Sequence, residues 1–449
     1  MLEFQFSRKW IEGVLDSRDR MGFDTRPVRE RLVRLDGSRD ALTQLLAEIG
    51  GLALRDDWPY DEPEDFEGIR RTGGGPWNDP APDPELVREA ARRAGPAFLA
   101  SVCGCVLGKP VEIDPTFDEM RRVLGDGGWP LRDYFSEDQA RAFGRGPHES
   151  WVDTVRERIR DAAPDDDINY TLIGLELLET LGPGFACADV MRLWFRTLPV
   201  GFSFGPERLA LLATGLRSFG DAGKAVDDGD PLPAPLPCPH EEFCGALIRV
   251  DAYGYAFPGR PALAARLAWK DASCTHRKTG IYGAMWMAAA LALAPVCDGW
   301  RDLAERALGF VPRRSRFHER LAGAIEIVAA ADRWETATVQ LYERFRQFGH
   351  CWIYREVGTL MNTLRFAPNV HEGFCMQVMQ GADTDSFGAR AGALLGMFLG
   401  PEKFDRRWLD PFQDTIRPAL GLFRENRLSA VAARITALPG LCATEPGLS

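Results

Sequence analysis

The sequence predicts an all-α protein, and three observations carry that prediction. Alternating β-branched runs of strand length are nearly absent from the 449 residues. Apolar residues recur instead at helical spacing, as in "YTLIGLELLETL" (170–181), "DVMRLWFRTL" (189–198) and "ERLAGAIEIVAAADRW" (319–334). Breaks such as "LPVGFSFGPE" and "FVPRR" separate these segments. At 45% hydrophobic and 10% aromatic, the chain can bury a large core, which excludes a disordered protein.

In chain order, the first 71 or so residues read as a charged, helical extension that packs on the main body. "TGGGPWNDPAPDPE" (72–85) reads as a linker, so residues 1–92 are taken as extension plus linker and 93–449 as the main domain. The similar "FGDAGKAVDDGDPLPAPLPCPH" (219–240) reads as a long surface loop. The longest apolar stretch, "GIYGAMWMAAALALAPVC" (280–297), holds two Gly and one Pro and reads as a buried helix, not a membrane span. "RRSR" (313–316) reads as a solvated helix start.

A formal net charge of -11 without a basic run argues against general nucleic-acid binding. The start lacks a continuous apolar segment, so no signal peptide is expected. Ten cysteines occur without a Cys-x-x-Cys pair, and neither Cys103-x-Cys105 nor Cys238…His240…Cys244 has zinc spacing. Reduced, mostly buried thiols and a cytoplasmic location are the expectation.

Two acidic features carry chemistry. In "PDDDINYTL" (164–172), Asp165, Asp166 and Asp167 would form the first turn of a helix. Three adjacent carboxylates exceed what capping needs, because mutual repulsion offsets a dipole gain of about 0.3–1 kcal/mol per charge. Something positive should sit against them. Consecutive helical residues fan out by about 100°, so a cluster recruits ligands from a second segment. "GADTDSFGARAGALLG" (381–396) supplies Asp383, Asp385 and the Ser386 hydroxyl at the mouth of a small-residue helix. The result is an all-oxygen set, suited to hard cations such as Mg²⁺, Mn²⁺ or Ca²⁺, with more charge than one divalent ion needs.

These stretches resemble the ADP-ribosylglycohydrolase family. "GADTDSFGARAGALLG" is similar to its C-terminal signature and "PDDDINYTLIGLELLE" to its first acidic motif. "GCVLGKPVE" (104–112) is similar to its N-terminal Gly-x-x-x-Gly-x-Pro-x-Glu segment, and "HRKTGIYGAMWMAAALA" (276–292) to its middle segment. All four occur in family order over roughly residues 95–440. The resemblance implies a compact all-α catalytic domain over 93–449 that hydrolyses the N- or O-glycosidic bond between ADP-ribose and an acceptor. It also implies two Mg²⁺ or Mn²⁺ ions held by Asp165, Asp166, Asp167, Asp383, Asp385 and Ser386. Glu112, Asp166 or Asp167 would be the catalytic base, and Asn169, His276, Gly280, Tyr282 and Gly283 would meet the substrate. Asp165 stands where the family commonly has Thr, and Ala382 where it commonly has Gly.

The partner implied is an ADP-ribosylated protein side chain or small molecule, met by a monomer that binds neither membrane nor general nucleic acid. Two other readings remain: a hydrolase of a small ribosylated or NAD-derived metabolite, and a non-catalytic ADP-ribose-binding or immunity protein. Arg355 and Glu356, in "GHCWIYREVGTLMN" (349–362), form an ordinary salt-bridged helix or else shape the leaving-group side of the site.

Overall fold

The structure, a computed structural model, describes residues 7–35, 39–112, 114–144, 152–220 and 236–443. Most of the 219–240 loop (221–235) lies outside the described residues. Helices follow one another from Arg8–Arg20 to Leu428–Ala443. Among the described residues, β-structure is confined to isolated bridges such as Phe243–Trp352. The fold is all-α, as the periodicity predicts.

Every residue of the Thr279–Leu293 helix is buried. A helix apolar on all faces has no solvent side and belongs in a core. By length and composition, Pro84–Val111 and Thr279–Val296 would each suit a membrane span, yet they are 94% and 89% buried in the fold.

The site is positioned by one close helix crossing. The Pro84–Gly108 helix packs along the Thr384–Leu399 helix through small residues: Ala97, Ala100, Gly104 and Gly108 against Gly396, Gly392, Gly388 and Thr384. A Cβ on Gly108 would run into the Thr384 carbonyl, so only glycine lets the backbones meet there. The Thr384 hydroxyl donates to the Gly108 carbonyl at 2.8 Å and pins the contact. The crossing lays the start of one helix against the end of the other. That is what the Gly/Ala-rich composition of 386–400 is for.

The N-terminal helices Arg8–Arg20, Arg26–Arg34 and Arg39–Ile49 share a small core of their own, built on Ile11, Val14, Leu15, Leu32, Leu45 and Leu46. The chain that follows is tied to the main body. Glu62 receives Arg316 Nε at 2.9 and 3.0 Å and Glu64 pairs with Arg277 at 2.7 Å, while in the first helix Arg18 pairs with Glu241 at 2.9 Å. Arg316 also pairs with Glu242 at 2.6 Å and is 2% exposed, so of the "RRSR" segment Arg313 and Arg314 are solvated but the helix start itself is buried. Its positive charge is matched by carboxylates distant in sequence, which local reading does not reveal.

The 72–85 stretch is likewise anchored: Asp79 accepts from the Ala262 and Leu263 amides at 3.0 and 2.7 Å, capping the Pro261–Ala272 helix. The 92/93 boundary falls inside the Pro84–Gly108 helix, which starts where Asp83 caps it and Pro84 takes the first position. The cysteines are not all free, either. Cys187 and Cys274, with Cα atoms 5.8 Å apart, form a disulfide between a helix start and the residues just past a helix end. Their separation of 87 residues hid the pairing.

Candidate functional site

Asp165 is the N-cap of the Asp166–Leu181 helix, and its carboxylate accepts from the Asp167 amide at 3.0 Å. The positive group that the triple aspartate demanded is Lys109. Its ammonium lies 2.7 Å from Asp165 Oδ2, 2.9 Å from Asp385 Oδ2 and 2.8 Å from Glu112 Oε2. Three chain segments thus converge on one cation, brought together by the glycine crossing. Burial opposes the charge on Lys109, but Asp165, Asp385 and Glu112 outweigh it and hold the ammonium well above its ordinary pKa.

The carboxylates divide by protonation. Burial would raise Asp385, yet the neighbouring Lys109 prevails and holds it down at about 2. Burial, reinforced by the Asp385 charge, pushes Glu112 well up. Burial and the Asp165 charge do the same to Asp166. Burial raises Asp167 strongly, with Arg390 in partial opposition, and raises Asp383, with His350 opposing. Environments that push neighbouring acids apart are how one site keeps a permanent anion beside groups that exchange protons.

Among the described residues, both carboxylate oxygens of Asp167 and Oδ1 of Asp385 are buried without a hydrogen-bond donor. Arg390 Nη2 lies 3.6 Å from Asp167 Oδ1, while its Nη1 pairs with Asp251 at 2.7 Å. Buried anionic oxygens lacking donors are costly, and a hard cation satisfies them. The donor set therefore fits divalent metal. Ser386, also buried, directs its backbone amide to the Asp385 carboxylate.

Asp383 occupies the N-cap position of the Thr384–Leu399 helix, but its side chain does not cap the helix amides. It accepts from the Cys244 thiol at 3.1 Å instead. The preceding Ala382 has φ 65°, a left-handed conformation that glycine adopts without cost and alanine does not.

The five residues read as substrate contacts are each enclosed by protein. Asn169 Oδ1 accepts from the Ala419 amide at 3.0 Å. His276 Nδ1 lies 2.8 Å from the Thr275 hydroxyl and 3.6 Å from Glu207. Tyr282 donates to the Pro63 carbonyl at 2.6 Å, so the N-terminal segment takes up its hydroxyl. A side chain on Gly280 would meet the Glu241 carbonyl, and one on Gly283 would meet Ile353. Both glycines serve close packing here.

Several site residues escaped the sequence reading. Lys109 was passed over inside "GKPVE", although a lysine beside a helix end among apolar residues is a signal. Arg390, alone among Gly and Ala in "GARAGALLG", is another. Glu356, which the sequence left between a helix ion pair and a group shaping the site, is 1% exposed, and its two carboxylate oxygens have no donor among the described residues. Burial raises its pKa well up, Arg355 opposes, and the charge on Asp383 adds to the rise, so Glu356 borders the site and is no surface ion pair. Cys244, His350 and Cys351 reach Asp383 only through tertiary contacts.

Residues 87–441 match the family model described as ADP-ribosylglycohydrolase. A solved structure described as an "ADP-ribosylglycohydrolase-related protein complex" is 19% identical, over 79% of this chain and 99% of that one, with a TM-score of 0.48. A search of the curated proteins finds no match. The family match spans most of the sequence and includes Lys109, Glu112, both acidic motifs and the helix crossing that unites them, and on it the chain belongs to the ADP-ribosylglycohydrolase family.

Proposed function

We propose that the chain is a metal-dependent hydrolase that cleaves the N- or O-glycosidic bond between ADP-ribose and an acceptor. The observation that carries this reading is the convergence of Asp165, Asp385 and Glu112 on the Lys109 ammonium, with Asp167 oxygens left over beside it. Two Mg²⁺ or Mn²⁺ ions, held by Asp165, Asp166, Asp167, Asp383, Asp385 and Ser386, would supply the positive charge that fixes ribosyl hydroxyls and eases deprotonation of water.

The chain's own groups do the rest. As the bond from the anomeric carbon to the acceptor breaks, positive charge develops on the ribosyl ring. Asp385, held ionised by Lys109, is a fixed anion that stabilises that charge. Water adds to the anomeric carbon, and its proton passes to a buried carboxylate whose proton affinity the site has raised. Glu112, Asp166 and Asp167 all have raised values and suit this role. The acceptor departs with a proton, and free ADP-ribose is the second product.

The test is release of ADP-ribose from arginine-linked, serine-linked and small-molecule substrates, with Mg²⁺ and with a chelator. Release should require the metal and disappear in Asp166→Asn and Asp383→Asn. Unchanged release in both variants overturns the assignment.

A further inference from the structure

Beside the oxygen cluster stands a second group of ligating atoms with different chemistry. The donor atoms of Cys244, Cys351 and Asp383 lie within 4.8 Å of one another, as do those of Glu112, His350 and Asp383. Asp383 belongs to both sets. The backbone builds the thiol pair: the Cys244 amide donates to the Cys351 carbonyl at 3.1 Å, and Phe243 bridges Trp352 next to it. These hydrogen bonds hold residues 107 apart in sequence side by side. Cys351 sits at φ 61°, a left-handed conformation that costs a non-glycine residue free energy and persists only where surrounding contacts impose it. Cys351 and His350 are half-buried, which leaves a route for an ion from solvent, whereas Cys244 and Asp383 are buried.

Two sulfurs and one carboxylate oxygen are a poor set for Mg²⁺, whose preference is for oxygen alone. They suit a borderline or soft ion that takes thiolate and carboxylate in tetrahedral geometry, with one position left for imidazole or water. We propose that Cys244, Cys351 and Asp383 form a site for a divalent ion of the zinc class, with His350 at its open side. Occupancy withdraws Asp383 from the oxygen cluster and inhibits the hydrolase. This inhibitory half rests on the functional reading above; the binding half does not.

The experiment uses the full chain, kept reduced by a phosphine and held in excess Mg²⁺, with Co²⁺ as the spectroscopic substitute for Zn²⁺. Titration should produce thiolate-to-cobalt charge-transfer absorption that saturates at one equivalent and is bleached by Zn²⁺. Cys244→Ser and Cys351→Ser should each abolish it. Cys105→Ser should retain it, although Cys105 lies near Asp165 and Asp167. No charge-transfer band in the wild-type protein overturns the site, as does a band lost only in Cys105→Ser. In the activity arm, Zn²⁺ should inhibit Mg²⁺-supported hydrolysis, and Cys351→Ser should weaken that inhibition by about tenfold. A cobalt band in a protein that hydrolyses nothing would retain the thiol site and sink the hydrolase reading instead.

Discussion

Lys109 is 6% exposed and touches three carboxylates, so in metal-free protein it is the counter-charge that makes their burial tolerable. Breaking a buried ion pair from one side costs about 3–5 kcal/mol. Lys109→Met should therefore lower metal-free stability by about that amount, and added Mg²⁺ should restore part of it. Denaturant titration with and without Mg²⁺ checks both; a variant as stable as wild type without metal contradicts the role. Asp251 gives a pH signature. Burial raises it to about 6, with Arg390 in partial opposition, against an ordinary 3.8. Because the folded-state value is the higher one, its contribution is full below pH 4 and is lost as pH rises through about 6. Two units correspond to about 3 kcal/mol. Wild-type stability should therefore carry a downward component from pH 4 to 6 that Asp251→Asn lacks.

At the scale of elements, the two helices that cross at glycine decide where the acids go. Gly104 faces Gly388, and Gly392 faces the Ala100 carbonyl, at spacings no side chain fits. Gly104→Val should cost about 1–3 kcal/mol or more through overpacking. It should also weaken Mg²⁺ binding, because Asp385 would move away from Glu112 and the triple aspartate. Calorimetric Mg²⁺ titration and thermal melting read the two effects; a destabilised variant with unchanged Mg²⁺ affinity would separate the crossing from the site. Both acidic motifs and the small-residue helix were legible in the sequence, since each is a local pattern with a physical cause. The partner of that helix was not, because a glycine stripe says that something approaches closely without saying what. Lys109, Arg390 and the Cys244–Cys351 pair were hidden for the same reason: their meaning lies in contacts made across the fold. Asp383 was placed by its sequence position at the helix mouth, but that its carboxylate meets the Cys244 thiol and not the helix amides is visible only in the fold.

Over the whole molecule, the periodicity foretold an all-α fold with buried apolar helices, and the structure has both. The charged N-terminal segment was read as an addition packed on the main body, and it is held there by ion pairs together with Ile69 and Phe66 against the main core. Glu62 meets Arg316 and lies 3.7 Å from Lys278, while Glu64 meets Arg277, all beside the helix that carries Tyr282. Glu62→Gln removes one of two carboxylates from the buried Arg316, and should lower stability by about 1–3 kcal/mol while leaving Mg²⁺ affinity unchanged. An altered Mg²⁺ affinity in that variant would show that the segment shapes the site directly. Anomalous diffraction from crystals grown with Mn²⁺ asks whether the acidic cluster is a divalent-metal centre. Anomalous peaks should lie within ligand distance of the Asp166, Asp167 and Asp385 carboxylates. Peaks only elsewhere, or none in crystals of metal-activated enzyme, would contradict that assignment.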